Sequence, residues 1–476
     1  MRKNLRAVSS ALAIFVGIFV GIFVGMTCGA GQVTAAAPYY LAVAAPFPTV
    51  ADGVAFADVQ AFWAGDAGAL ARATNDGSAP TLFVTIATQK HLAALLGPQA
   101  KNARVKIVAP GELASAVWAA QPSALAIVPF DELEPRLKVL TVDGIQLFDK
   151  QADVSAYPLK ASAPATNRDT NKMTVVAMTG VTALVRGTAV MMEKKGLTYP
   201  GEKIRDWLKT ADITHISNEV SFWDKCPRPT FNDGVTMCSD LRYLELLKYV
   251  GTDIIELTGN HLWDRGWQQL NTTLDTYDSL GWVYFGGGRN AATALDPVRY
   301  DIQGNKIAFV GCNWFGNDWA TDEKPGSARC GSKSPRDLDL IIPLIQQLKS
   351  EGYHVIVGIQ YAEYYQYDPK PGQVDDFNAL RAAGADVVNG SQGHHAAGFA
   401  VNEQGFMHYG VGNLFFGDQA GDGPKQSMVD RHVFYNGRYL GVDVKTAFIR
   451  DFSQPQPMTP KERAALLRTL FAASGW

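Results

Sequence analysis

The chain has 476 residues, a formal net charge of −3 and an isoelectric point near 6.3; 47% of its residues are apolar and 19% charged. That length calls for two or more domains, and the balance excludes a disordered chain. With no long basic run, the composition argues against nucleic acid as a partner.

The chain opens on Arg2, Lys3 and Arg6, then the apolar run ALAIFVGIFVGIFVGM and the small-residue stretch VTAAAP. Charged, apolar and small residues in that order read as a secretory signal over residues 1–36, with cleavage expected after Ala35. The run also approaches bilayer-spanning length, so retention as an N-terminal membrane anchor is the alternative. Both readings put the folded part outside the cytoplasm: secreted, periplasmic or at the cell surface. Besides Cys28 there are four cysteines, Cys226, Cys238, Cys312 and Cys330. An even number in an exported chain predicts two disulfides. Three connectivities are open; local pairing, Cys226–Cys238 and Cys312–Cys330, would close two loops rich in Pro, Gly and Asp. The spacing is not that of zinc ligands.

From Pro38 to about residue 160, short apolar runs alternate with helical patterns: TLFVTIAT, QKHLAALLG, ARVKIV, GELASAVWAA and ALAIVPF. This alternation predicts βαβ units and a parallel sheet covered by helices, a first, smaller α/β domain. The polar stretch ASAPATNRDTNK, with the residues up to 172, reads as a linker (161–172). A second domain is expected over 173–425. Three of its segments, KTADITHISNE, VGTDIIELTGNH and AGADVVNGSQGHH, share one arrangement: a helix ends, Asp follows a small residue, and an apolar strand begins. HVIVGIQYAEYY supplies a fourth strand. Buried parallel strands read as continuous apolar runs, so their polar carboxyl-terminal tips stand out. Residues 426–476 complete the domain, with a hairpin turning at Asn436-Gly437 and a final helix capped by Thr459, Pro460 and Glu462.

The tips are Asn218-Glu219, Asn260-His261, Gln360 with Glu363, and Gln392 with His394. Ligands bind beyond the carboxyl ends of strands in open α/β sheets, so the four are expected to face one crevice. Imidazole, carboxylate and amide oxygen are donors for a divalent cation such as Zn, Mn or Fe. Glu219, Asn260, His261 and His394 are the expected metal donors, and Asp264 would orient His261 from behind. Gly390 and Gly393 would also allow a plain turn at His394. His215, inside a strand, reads as a core histidine. FGGGRN lacks the dinucleotide spacing and reads as a turn, and no P-loop is present, so no nucleotide cofactor is expected.

At these residues a resemblance becomes specific. The region from about Thr174 to Asp418 resembles the CapA family of bacterial capsule synthesis proteins, linked to poly-γ-glutamate. The blocks that carry it are SNEVSF, GNHLWDRG, YFGGGRNAATALDP, GIQYAEYYQYDPKPGQ, GADVVNGSQGHH and YGVGNLFFGDQ, in family order. The resemblance implies a calcineurin-like metallophosphoesterase-type α/β domain, with layered sheets flanked by helices, after the smaller α/β domain. It implies catalytic roles for His261, Asp264 and Glu363, and metal binding by Glu219, Asn260, His261 and His394. Asn218, Gln360, Gln392 and Asn413 are then expected at the substrate. The chain departs from the family pattern three times: Val181 stands where an aspartate is expected, Gln360-Tyr361-Ala362 replaces His-Trp-Gly, and Gln392 replaces a histidine. The first domain, mainly through ALAIVPFDELEPRLKVLTVDG, is similar in style to periplasmic binding proteins. The expected function is capsule or poly-γ-glutamate metabolism, by metal-dependent hydrolysis if the protein is an enzyme. Its expected partners are an anionic polymer such as poly-γ-glutamate or other capsule material, and envelope or capsule-synthesis proteins. The alternatives are a non-catalytic module that binds an anionic polymer, and a general metallophosphoesterase.

Overall fold

A computed structural model describes residues 36–476; the expected leader, its cleavage point and Cys28 lie outside the described residues. The first layer is a six-stranded sheet. Strands Thr81–Thr85, Val105–Val108 and Ala124–Pro129 run parallel, linked by helices Ile86–Leu96 and Leu113–Ala119, as the alternating pattern predicts. The parallel sheet is incomplete, however. The strand Ala37–Pro46 pairs antiparallel with three neighbours, including Ala124–Pro129. An antiparallel pairing needs no crossover helix, so nothing in the helical pattern announces this strand's direction.

The stretch read as a linker is tied down. Its strand Lys160–Ala163 pairs with Ala37–Tyr40. Asn167 accepts the Tyr40 N–H at 2.8 Å and donates to its carbonyl at 3.0 Å, while Arg168 donates to the carbonyls of Leu147 and Asp149. Polar composition marks exposed chain, but it also supplies the donors that pin such chain to a sheet edge.

Beyond it lie two further sheets. One follows the order Val283–Phe285, Ile254–Glu256, Ile213–Asn218, Met173–Thr179, Gln426–Tyr435, Arg438–Arg450 and Gln454–Pro457, with Val181–Thr182 and Asn413–Phe415 attached beside Ile213–Asn218. The other follows Val298–Ile302, Asn305–Asn313, His354–Gln360, Val387–Ser391, Phe406–His408 and Phe399–Val401. Val176, Met178, Ile213 and Ile254 of the first pack on Ile307, Phe309, Ile356 and Val387 of the second. Helices cover the outer faces: Leu244–Val250 and Trp267–Leu280 on one side, Ile341–Ser350 and Pro371–Ala382 on the other. The architecture is the layered α/β type that the resemblance implies.

The tail follows its local chemistry. Asn436 and Gly437 adopt φ of 50° and 76°, the left-handed pair that a tight hairpin turn demands. The helix Pro460–Ala473 begins on a Thr459–Glu462 capping box. FGGGRN is partly corrected: Asn290 caps a single helical turn, Ala291–Ala294, that follows it.

The first sheet is fastened to the rest by Phe47. Its ring meets Phe399, Phe406, Phe471 and Trp476 edge-on, with centroids 5.4–6.0 Å apart. Asp52 adds an ionic clasp, bonding both Lys138 and Arg463 of the final helix. Phe47→Ala, which empties the junction, is expected to lower unfolding stability by about 3–5 kcal/mol in urea titrations.

Candidate functional site

The four tips do not belong to one sheet, as the open-sheet expectation assumed. Ile213–Asn218 and Ile254–Glu256 are parallel neighbours in one sheet; His354–Gln360 and Val387–Ser391 are parallel neighbours in the other. The two pairs face each other at their carboxyl ends. The Ser217 and Ser391 hydroxyls meet across the gap at 3.2 Å, and Gln360 Nε2 donates to Asn260 Oδ1 at 3.0 Å.

Glu219 lies at the centre, 2% exposed, and neither carboxylate oxygen has a hydrogen-bond partner within the protein. Its backbone is held by the Thr182 carbonyl at 3.0 Å. Val220 bridges to His261, joining the two loops of the first sheet. Gly259 makes that closeness feasible: a Cβ there would sit 2.7 Å from the Glu219 Cα. Thr182 Oγ1, Asn218 Oδ1, Asn313 Oδ1 and both amide atoms of Asn389 are also buried without partners. Buried polar atoms almost always find a partner; the Glu219 carboxylate, at the strand tips, has none within the protein.

His394 reaches Glu219 from the opposite sheet. Asn413 Nδ2 donates to the carbonyls of Pro424 at 3.0 Å and His394 at 3.4 Å, so its Oδ1 must accept, and it lies 2.9 Å from His394 Nδ1. The Nδ1 side therefore carries a proton, and Nε2 faces Glu219 Oε1 at 3.8 Å. Gln392 and His394 both hold positive φ, 72° and 46°. Non-glycine residues pay for that geometry, and such strain gathers at functional sites.

His261 is fixed in the same way. Its Nδ1 bonds Asp264 Oδ2 at 2.8 Å, and that oxygen also accepts the Met237 N–H at 2.6 Å. Burial pulls the imidazole pKa down, but the Asp264 bond and the charges of Glu219, Asp264 and Asp318 outweigh it, leaving it above the ordinary histidine value. Gln360 donates its second amide hydrogen to Gln392 Oε1. Asn218 turns its amide nitrogen to the Val220 carbonyl at 2.9 Å.

Several expected members stand apart. Glu363 is exposed on the rim and accepts the Tyr365 hydroxyl. Among the described residues, no three His, Cys, Asp or Glu side chains gather as a ligand set. The expected set of Glu219, His261 and His394 is therefore not closed, and Asn260 directs its carbonyl oxygen to Gln360 instead. Two donors do suit a divalent cation: a buried carboxylate without partners and an imidazole nitrogen, at a separation one ion with bonds of about 2.0–2.2 Å can span. The aspartate position of the family is filled by Val181, 1% exposed, within a small apolar cluster with Val185, Val220, Met237 and Phe416.

Other members were not foreseen. Asp318 accepts the Trp263 N–H at 3.0 Å, and burial, with the nearby Asp264 charge, raises its pKa to about 6. Tyr365 stacks over His394, with centroids 6.4 Å apart; the aromatic run YAEYYQY was its only signal. Beneath the crevice His215 bonds Glu256 at 2.9 Å, both wholly buried. His215 is thus in the core as expected, paired with a carboxylate that had not been singled out. Both disulfides form locally, Cys226–Cys238 and Cys312–Cys330, with Cα separations of 5.7 and 5.0 Å that suit such a bridge.

The family model described as bacterial capsule synthesis protein PGA_cap matches residues 175–418, the segment that builds both sheets' tips. The chain belongs to that family of capsule synthesis proteins. It is 26% identical over 309 residues to the capsule biosynthesis protein CapA of Bacillus anthracis, covering 63% of this chain and 73% of that protein. It is 22% identical over 284 residues to the PGA biosynthesis protein CapA of Bacillus subtilis (strain 168), covering 58% and 72%.

Two outcomes follow from the burial of these carboxylates. Glu219→Gln replaces a buried carboxyl whose oxygens have no partner by a neutral group of the same shape, so in chelator it is expected to raise unfolding stability by about 1–3 kcal/mol; a structural carboxylate would lose stability. Asp418 is a second case. Burial raises its pKa from 3.8 to about 7, against the opposing effects of Arg186 and the N–H groups of Gly187 and Thr188. A raised acid holds its proton longer in the folded state, so stability falls as pH rises between those two values. Asp418→Asn is expected to flatten that slope in thermal melts taken across the range.

Proposed function

We propose that this protein is exported and acts on the acidic polymer of a capsule, of the poly-γ-glutamate type, by hydrolysing an ester or amide bond in the crevice between the two sheets. The carrying observation is the carboxylate of Glu219, buried and without a hydrogen-bond partner, faced across 3.8 Å by Nε2 of His394. Family membership and the roles that the Bacillus relatives are named for support the capsule assignment. The two disulfides suit an oxidising compartment. Among the described residues no helix is long and apolar enough to cross a membrane.

Glu219 and His394 would hold the cation, of the Mn, Zn or Fe class. Such an ion supplies a nucleophilic water at neutral pH and polarises the attacked bond. The remaining work falls to the protein. Asn413 keeps the proton on His394 Nδ1, so that Nε2 stays a donor of electrons. Asp264 keeps His261 Nδ1 occupied and supports the protonated ring. His261 can then give a proton to the leaving group through Nε2. Asn260, Gln360 and Gln392, linked amide to amide, line the wall where the chain of the substrate would lie, with Asn218 below and Glu363 on the rim.

A second reading is favoured by the wall itself. Val181 and the two glutamines stand where the family carries an acid and histidines, so a binding module without turnover is the rival. Metal analysis of the purified protein and release of product from poly-γ-glutamate and from generic phosphate esters separate the readings. The hydrolase reading expects about one cation per chain and a 10²-fold or greater loss of polymer cleavage in His261→Ala. Polymer binding without cleavage under any divalent metal would establish the module. Phosphate-ester turnover with no effect on the polymer would make it a general phosphoesterase.

A further inference from the structure

Beside the crevice, on the His261 side, the loop closed by Cys226–Cys238 roofs a cavity of about 180 Å³. Two guanidinium groups line it, Arg186 and Arg265. Arg186 donates Nε–H to the Gly234 carbonyl at 2.9 Å, and Arg265 donates to the Thr236 carbonyl at 3.3 Å. Both contacts fix the arginines to the loop without neutralising them. Among the described residues no carboxylate forms an ion pair with either one, whereas Arg242 just outside pairs with both Glu193 and Asp240. The two acids in the cavity wall are already engaged. Asp240 bonds the Arg242 guanidinium, and Asp233 accepts the Thr230 N–H at 2.8 Å and its hydroxyl.

The cavity connects to the crevice through shared parts. Met237, in its wall, donates the N–H that holds Asp264 against His261. Arg186 lies near enough to Tyr365, which stacks on His394, for its charge to act on the Tyr365 hydroxyl. Arg186 itself sits at φ 45°, a conformation that arginine adopts only when its surroundings enforce it. Two guanidinium groups that line one concave site and form no ion pair among the described residues carry the fork that an oxyanion accepts.

We infer that this cavity is a carboxylate subsite in which Arg186 and Arg265 grip an acidic side group of the polymer, next to the bond held at Glu219 and His394. The inference rests on the proposed reading that the crevice takes an acidic chain. The disulfide loop thereby gains a role in recognition, because it carries the carbonyls that aim both arginines. Substrate affinity also becomes dependent on salt, since the contact is between solvent-accessible charges.

The test is calorimetric titration of the mature, oxidised protein with a γ-linked glutamate decamer, its methyl ester and inorganic phosphate. Wild type is compared with Arg186→Gln, Arg265→Gln and the double variant, each checked for an unchanged melting temperature, and with Arg186→Lys. The free acid is expected to bind wild type, to bind the double variant at least tenfold more weakly, and to recover partly in Arg186→Lys; the methyl ester is expected not to bind. Undiminished binding of the decamer by the double variant would overturn the subsite and leave the crevice reading intact. Failure of wild type to bind the decamer would overturn both, and arginine-dependent binding of phosphate in that case would replace the carboxylate by phosphate as the anion.

Discussion

Two sheets that pack through Val176, Ile213, Phe309 and Ile356 must end somewhere, and where they end their interior turns polar. Strand interiors exclude water and satisfy their own backbone groups, so their side chains are apolar by necessity. At the carboxyl ends that necessity lapses, and the first residues past each strand are free to carry an amide, an imidazole or a carboxylate. Here four such ends are drawn within contact of one another by a small set of bonds: Gly259 lets one loop touch the next, Val220 bridges to His261, and the Ser217 and Ser391 hydroxyls meet across the gap. The burial of Glu219 follows from this closure. So does the fixed tautomer of His394, because Asn413 is held by carbonyls from the chain that closes the same end.

Much of this was legible in the sequence. The continuous apolar runs of ITHIS and HVIVGI, cut short by Asn, Glu and Gln, located the tips, because a buried strand cannot tolerate an unpaired polar group except at its end. Local chemistry likewise located the Asn436-Gly437 turn and the Thr459 cap, which depend on neighbouring residues alone. The assignment of strands to sheets was hidden. Period and apolarity are the same in either sheet, and only the packing partner distinguishes them. The antiparallel course of Ala37–Pro46 and the anchoring of residues 161–172 were hidden for a related reason: both depend on partners far away in the chain. Arg186 carried no signal, since a single arginine before a helix looks like any surface cation until the loop from Cys226 to Cys238 is folded over it.

The departures from the family pattern gain a physical sense. Where an acid is expected the chain packs Val181 into an apolar cluster, and where histidines are expected it places two glutamines that bond each other. A site with fewer ionic donors holds less charge in a dry crevice, and its wall becomes a hydrogen-bonding surface of linked amides. What persists is the pair that faces across the gap, a carboxylate from one sheet and an imidazole from the other. The histidine at 261 is kept ready beside them by Asp264.

The central claim is that Glu219 and His394 are two sides of one binding position. Crystals of the oxidised protein soaked in manganese, with data collected to reveal anomalous scattering, address it most directly. The expected result is a single strong peak bonded by Glu219 and His394 Nε2. An ion bound at another place, or side chains at 219 and 394 that diverge in the presence of manganese, would contradict it.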